Sequence, residues 1–277
     1  MAPMTGLSTG VAFLFVPATR LDRVPKALLT NAAAVIIDLE DAVAPGSKAD
    51  AREALRQLQA MNVDPDRLIV RINASGTQWF EDDLAAAAAL PVSAVMLPKT
   101  ENLDALRHVA SVVGPKLAIC ALIETAIGLE AATVIAQSGL VQRLAFGSLD
   151  FAADIGCAVS DLALIYARSR LVLASRLGNL AAPLDGVTAD FEDAAMNLAE
   201  ARHALDLGFG GKLCIHPRQI EWVHCAIRPS DEELTWARTI LAAGENATAI
   251  GGSMVDAPVK KRAQQVLYRH ALSSVKR

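Results

Sequence analysis

The amino-acid sequence predicts an α/β protein, a TIM-type (β/α)8 barrel with a C-terminal helical extension. Three observations carry that expectation. Eight short apolar runs rich in β-branched residues recur along the chain. The runs are continuous rather than alternating, as strands covered on both faces should be. Segments of helical character separate them, and 277 residues suffice for one barrel without an obligatory second domain.

The runs fall at 12–17, 34–39, 68–72, 94–97, 117–123, 143–146, 183–187 and 212–215. Helical patterns occupy 47–60, 82–90, 102–112, 127–137, 161–177 and 190–207 between them. Ser47 and Asp190 read as helix N-caps, and Gly208 and Gly210 as helix-end and turn residues before the last strand. No GxGxxG follows the first run, which argues against an open dinucleotide-binding sheet. Past the eighth run the helical patterns at 231–243 and 257–272 flank a Gly-rich stretch, 244–253, read as a flexible link. The expected division is therefore a barrel over 1–228 and a helical extension over 229–277, which packs outside the barrel or reaches over an active site.

Composition narrows the partners. A formal net charge of −4 with no outstanding Lys/Arg block argues against nucleic acid. The N-terminus has no basic residue ahead of its apolar run, so it does not read as a signal peptide. The longest apolar stretch, 84–97, is too short to span a bilayer and contains Pro91. The expectation is a soluble cytoplasmic protein with no membrane partner. Cys120, Cys157, Cys214 and Cys225 form no CxxC pair and read as free thiols rather than a zinc site.

Barrel enzymes place their chemistry at the C-terminal ends of the strands. The polar residues that end the runs are Asp38, Glu40 and Asp41 after the second, Arg71 and Asn73 in the third, and Lys99 after the fourth. Glu124 follows the fifth, Asp150 the sixth, Asp185 lies in the seventh and His216 follows the eighth. Taken singly, each carboxylate reads more readily as a helix cap or surface group, and the histidine as a packed residue. Together, carboxylates from several strands would repel one another on one rim unless a cation or protons neutralised them. Oxygen ligands without a Cys/His set favour a hard cation, and magnesium needs only one or two carboxylates, with water and substrate completing its shell. Glu124 and Asp150, from adjacent strands, are the expected ligands. Glu40 and Asp41 would hydrogen-bond the metal's water, and Arg71 and Lys99 supply positive charge for an anionic substrate.

Nine ordered segments carry a resemblance: LFVPA (14–18), DLEDAVAP (38–45), VRIN (70–73), MLPK (96–99), IET (123–125), FGSLDFAADIG (146–156), LDGV (184–187), GKLCIHPRQI (211–220) and MVDAP (254–258). On these the chain resembles the citrate lyase β-subunit-like branch of the HpcH/HpaI aldolase family over almost its whole length. The resemblance implies magnesium on Glu124 and Asp150 and a substrate carboxylate on Arg71. It implies a homotrimer or a hexamer, and cleavage or formation of a carbon–carbon bond in citryl-, malyl- or citramalyl-CoA. It also implies that Asp256, in the MVDAP segment, acts catalytically in the site of a neighbouring subunit, with the Gly-rich link as its hinge. Capping of the last helix is the alternative role for Asp256. Two departures stand out: Val11 and Ala12 replace an Arg-Ser pair common at the first strand, and Ala18 stands where glycine is frequent.

In the mechanism this implies, Arg71 grips the substrate carboxylate bidentately and Asp256 exchanges the hydroxyl proton. Backbone N–H groups of 147–150 support the developing negative charge. Arg20, Arg23 and Lys26 are expected at the CoA pyrophosphate, with Ile215 and His216 along the CoA arm. Three other readings stay open: a malyl-CoA thioesterase, an aldolase on free 2-oxo acids, and a subunit that works only with an acyl-carrier partner.

Overall fold

A computed structural model of the protein describes residues 6–242, 248–250 and 253–274. Eight parallel strands close into a barrel in sequence order. They are β1 (Ala12–Pro17), β2 (Ala34–Asp38), β3 (Leu68–Arg71), β4 (Ala94–Leu97), β5 (Ala118–Ile123), β6 (Arg143–Phe146), β7 (Leu184–Asp185) and β8 (Gly211–Cys214). A one-turn helix α1 (Gly6–Thr9) precedes β1. Then come α2 (Val24–Leu28), α3 (Lys48–Ala54), α4 (Phe80–Ala88), α5 (Leu103–Val113), α6 (Ala126–Gln137), α7 (Ser148–Ile155), α8 (Asp161–Leu177), α9 (Ala194–Leu207) and α10 (Pro217–Ile227).

Local chemistry explains where these elements start and stop. The side chains of Asn102, Thr125 and Ser160 accept the N–H of Ala105, Gly128 and Ala163, so each satisfies a donor left open in the first turn of α5, α6 or α8. Gly208 ends α9 at φ 103°, a conformation costly for any residue with a Cβ. Both expected caps fall elsewhere. Ser47 makes no capping hydrogen bond. Asp193 caps α9 through the N–H of Met196, while Asp190 accepts from Glu192 and Asp193 in a local turn. The seventh strand shrinks to two residues because only Leu184 finds a register partner on β6.

Inside the barrel the residues alternate as the pleat demands. Phe13, Ile36, Ile69, Met96, Cys120, Leu122, Ala145, Leu184 and Leu213 form one buried cluster. The same parity continued toward the C-terminal rim brings in Phe15, Asp38, Arg71 and Glu124. Continued the other way it reaches Arg143, whose guanidinium donates to the carbonyls of Leu7 (2.8 Å), Gly10 (2.7 Å) and Ala182 (2.7 Å) and closes the N-terminal end. Val11 lies at that closed end, buried, its carbonyl accepting the N–H of Lys212 at 2.8 Å. At about 3.3 Å per residue it is about 20 Å from the rim. The departure at Val11 therefore falls at the barrel base, away from the rim. Ala18 is buried.

The chain divides into two compact units, Met1–Val223 and His224–Arg277. The second holds α11 (Asp231–Ala242), an antiparallel pair β9 (Thr248–Ile250) and β10 (Ser253–Val255), and α12 (Ala257–Ser274). Its own small core joins Leu234, Ala237, Ile240, Val255, Ala263 and Val266. Of the Gly-rich stretch read as flexible, residues 248–250 and 253 are strand, and 244–247 and 251–252 lie outside the described residues. No helix of the described residues is long and apolar enough to cross a membrane. All four cysteines are free thiols, and burial pushes those of Cys120 and Cys214 up to about 12.

Candidate active site

The rim follows from register. Asp38 ends β2 directly opposite Arg71 at the end of β3, and the parity rule turns both side chains inward. Arg71 Nε and Nη2 clasp the two Asp38 oxygens at 2.7 and 2.6 Å. Its Nη1 lies 3.2 Å from Asp41 and 3.1 Å from Glu40, and the guanidinium covers the Phe15 ring at 4.8 Å. Burial disfavours the cation, but Asp38, Glu40 and Asp41 outweigh it and raise the Arg71 pKa. Asp38 also accepts the N–H groups of Glu40 and Ala42, which wraps the following loop around it.

Glu124, just past β5, is 1% exposed. One oxygen accepts the Lys99 N–H at 2.8 Å. The other lies against Gly147, where any Cβ would collide with it. Burial, then the charge of Glu40, pushes the Glu124 carboxyl up to about 8, against the opposing hydrogen bond from Lys99. Asp150 adds to that shift from the exposed first turn of α7. Lys99 holds φ 44°, an unusual conformation that aims its N–H at Glu124 while its Nζ reaches Glu40 at 3.0 Å. Burial lowers the Lys99 pKa, but Glu40, Glu124 and Asp41 raise it further. The Glu40 carboxyl is raised by burial, against the charges of Arg71 and Lys99, and its buried Oε2 lies 3.1 Å from Arg71 Nη1.

A cavity of about 370 Å³ opens onto these groups. Its polar lining includes Asp38, Asp41, Arg71, Glu124 and Asp150, and its apolar lining includes Phe15, Leu122, Val187, Leu213 and Ile215. Leu122 and Leu213 belong to the barrel core, with Phe15 and Val187 packed against it, so these four form the floor. Among the described residues no three His, Cys, Asp or Glu side chains gather as a closed metal cage. The rim instead offers carboxylates from separate strands, with room for water and ligand.

The structure thus brings Arg71, Glu124, Asp150, Asp41 and Ile215 to one cavity and links Glu40 to it through Arg71 and Lys99. Lys26, on α2, is exposed and not part of the lining. His216 is also outside the lining; its ring stacks on Phe191 at 4.7 Å, and burial followed by the charge of Arg218 lowers its pKa. Asp256 sits in the second unit, where Oδ1 accepts the N–H of Val259 at the start of α12. Sequence reasoning places Asp38 among the polar run ends but gives it no role as the partner that fixes Arg71, and it does not find the backbone N–H of Lys99. The parity of the inward face would have shown the role of Asp38.

Taken together, fold and rim define a (β/α)8 barrel with an acid-rich site for a polar ligand at the C-terminal ends of its strands. The family model described as HpcH/HpaI aldolase/citrate lyase matches residues 12–217, and the chain belongs to that family. Within it, the citrate lyase subunit beta-like protein of Mycobacterium tuberculosis is 40% identical, with 95% of this chain and 96% of that protein covered. The mitochondrial citramalyl-CoA lyase of Homo sapiens is 33% identical, with 92% and 84% covered. A (3S)-malyl-CoA thioesterase of Cereibacter sphaeroides is 32% identical, with 94% and 92% covered. Among solved structures, CitE from Mycobacterium tuberculosis in complex with magnesium, acetoacetate and coenzyme A superposes with a TM-score of 0.85 at 38% identity, covering 95% of this chain and 99% of that one.

Proposed function

We propose that the protein is a magnesium-dependent carbon–carbon lyase that splits, or forms, a 3-hydroxyacyl-CoA bearing a carboxylate, with acetyl-CoA and a 2-oxo acid as the products. The observation that carries this reading is unbalanced charge. Five carboxylates, Asp38, Glu40, Asp41, Glu124 and Asp150, face Arg71 and Lys99, and Glu40 already occupies both cations, Arg71 at 3.1 Å and Lys99 at 3.0 Å. A hard divalent cation fits that excess. Glu124 and Asp150 would hold it, with Glu40 and Asp41 accepting hydrogen bonds from its water. When bound, magnesium supplies Lewis-acid polarisation of the substrate's oxygens.

The chain's own residues do the rest. The fork of Arg71 is already closed on Asp38, so its second Nη2 hydrogen is the one turned to a substrate carboxylate, a single contact in place of a bidentate grip. Asp256, supplied by a neighbouring subunit of a homotrimer or hexamer, takes the hydroxyl proton. The oxygen's electron pair then forms the carbonyl, the carbon–carbon bond breaks, and its pair passes to the thioester enolate, which takes up a proton. The backbone N–H groups opening α7 face the developing charge. Arg20 is paired with Asp22 at 2.9 Å, which leaves Arg23 and Lys26 for the pyrophosphate of CoA, with Ile215 and His216 along its arm. The floor of Phe15, Leu122, Val187 and Leu213 offers no cation. It suits an oxo acid with hydrogen or methyl there better than one with a second carboxylate. The similarity to citramalyl-CoA lyase and to the magnesium–coenzyme A complex supports the reading.

The similarity to malyl-CoA thioesterases favours a second reading, water attack on the thioester at the same site. A product assay on malyl-, citramalyl- and citryl-CoA, with magnesium and with EDTA, separates the two. Metal-dependent acetyl-CoA with glyoxylate, pyruvate or oxaloacetate supports the lyase and names its substrate. Free CoA without acetyl-CoA supports the thioesterase, and turnover of none excludes both. In the same assay Asp256→Ala and Arg71→Ala chains are each expected to be inactive alone and partly active when mixed. No recovery in the mixture would remove the shared site.

A further inference from the structure

Lys48 lies outside every role assigned above, yet it is among the most completely engaged groups near the site. It opens α3, is 5% exposed, and its ammonium spends three donors on three acceptors. These are the carbonyls of Leu39 (2.9 Å) and Glu40 (2.8 Å) and Oδ1 of Asn73 (2.6 Å). Asn73 in turn donates to the Leu39 carbonyl (3.0 Å) and to Asp83, whose other oxygen holds Arg52 at 2.9 Å. The loop after β2 is therefore gripped from both sides. The Asp38 carboxylate takes its N–H groups at Glu40 and Ala42, and Lys48 takes its carbonyls at Leu39 and Glu40. That arrangement fixes the peptide planes on either side of Glu40 and leaves its carboxylate between Arg71 and Lys99. Burying a lysine costs desolvation, but an apolar side chain of similar volume would leave the carbonyls of Leu39 and Glu40 and the amide oxygen of Asn73 without their donor. The ammonium therefore fixes the geometry of the loop as well as its packing.

We propose that Lys48 is a positioning residue, which holds the backbone of residues 39–41 so that the Glu40 carboxylate stays at the rim. The role given to Glu40 at the metal rests on the function proposed above; the grip on the loop does not.

The test uses the full chain as wild type, Lys48→Met, Glu40→Gln and the double variant. Mn²⁺ affinity is read by electron paramagnetic resonance without substrate, and amide exchange of the 38–45 segment is read by mass spectrometry on metal-free protein. Lys48→Met is expected to speed exchange at Glu40 and Ala42 by about tenfold or more with the rest of the barrel unchanged. It is also expected to weaken Mn²⁺ binding by about tenfold, the scale of a group that orients a metal's surroundings. Adding Lys48→Met to Glu40→Gln should then cost little more, since both act through one carboxylate. Unchanged exchange in the 38–45 segment overturns the proposal whether or not metal binds. So do Mn²⁺ effects that simply add. Exchange that speeds in a wild-type background binding no Mn²⁺ upholds the grip and sinks the metal reading instead. Should Lys48→Met not fold, Lys48→Gln, which keeps at most two of the three donors, carries the same test.

Discussion

Two buried ionic clusters in this barrel are built from the same residue types and behave oppositely. At the rim, Glu124 meets Glu40 and Asp150, opposed by the backbone N–H of Lys99 and, more weakly, by its charge. On the outer side of β7 and β8, Asp185 meets Arg168 at 3.0 Å and Lys212 at 3.2 Å, and Lys212 also donates to the Gly186 carbonyl at 2.7 Å. Burial pushes both carboxylates upward. At Asp185 Lys212 and Arg168 more than reverse it, and the group stays below the ordinary carboxylate range. At Glu124 nothing reverses it, and the carboxyl is pushed up to about 8. Burial alone therefore does not mark a working site. Charge left uncompensated inside the chain does, because the fold keeps it only if something outside the chain completes it.

The sharpest way to break this contrast is at the balanced cluster. Asp185→Ala removes the central carboxylate and leaves Arg168 with Asp161 at 3.0 Å and Lys212 with Glu200 at 3.3 Å, and a loss of about 3 kcal/mol in unfolding free energy, the low end for a broken buried pair, is expected by denaturant titration. Metal affinity in the fraction that folds should be unchanged; a large drop there would erase the distinction between scaffold and site. Next comes the unbalanced cluster. Glu124→Gln and Asp150→Asn should each weaken Mg²⁺ binding by about 100-fold in calorimetry, a larger effect than loss of an orienting group, while thermal stability without metal holds or rises. Near-normal affinity in both would end the ligand assignment.

The third test is the pH dependence. The folded Glu124 carboxyl titrates near 8 against an ordinary 4.5. The folded chain therefore retains a proton that the unfolded chain has released between those values. Its stabilising contribution is complete below the ordinary value and is lost as pH rises through 8. Metal-free protein should melt progressively lower from pH 5 to pH 8, and excess Mg²⁺ should flatten the curve, as should Glu124→Gln. A melting temperature independent of pH over that range in the metal-free wild type would show that the site is already neutralised.

Much of the barrel is legible in the runs themselves, because strands covered on both faces must be apolar throughout. The same continuity hides which residues point inward. Asp38 ends its run like any helix-capping aspartate, and only its register opposite Arg71 shows that it holds the guanidinium. Lys48 is harder still. A lysine at the start of a helix reads as a solvated surface group, and its three acceptors lie eight, nine and twenty-five residues away in the chain. The caps fail for a related reason: Asp190 and Asp193 are equally good candidates in sequence, and the turn that Asp190 makes decides between them. Val11 teaches the converse. Its departure from the family pattern draws attention in the sequence, and topology places it at the far end of the barrel.

The contact between Gly147 and Glu124 has a consequence for the history of such a chain. A methyl at position 147 would collide with Oε2 of the glutamate and fall 2.5 Å from its Cβ. Loss of the carboxylate removes only the first of these clashes, because any residue with a Cβ at 124 keeps the second. Glycine at 147 is therefore held by the close approach of the two segments, and a lineage that abandoned the carboxylate would still need the glycine.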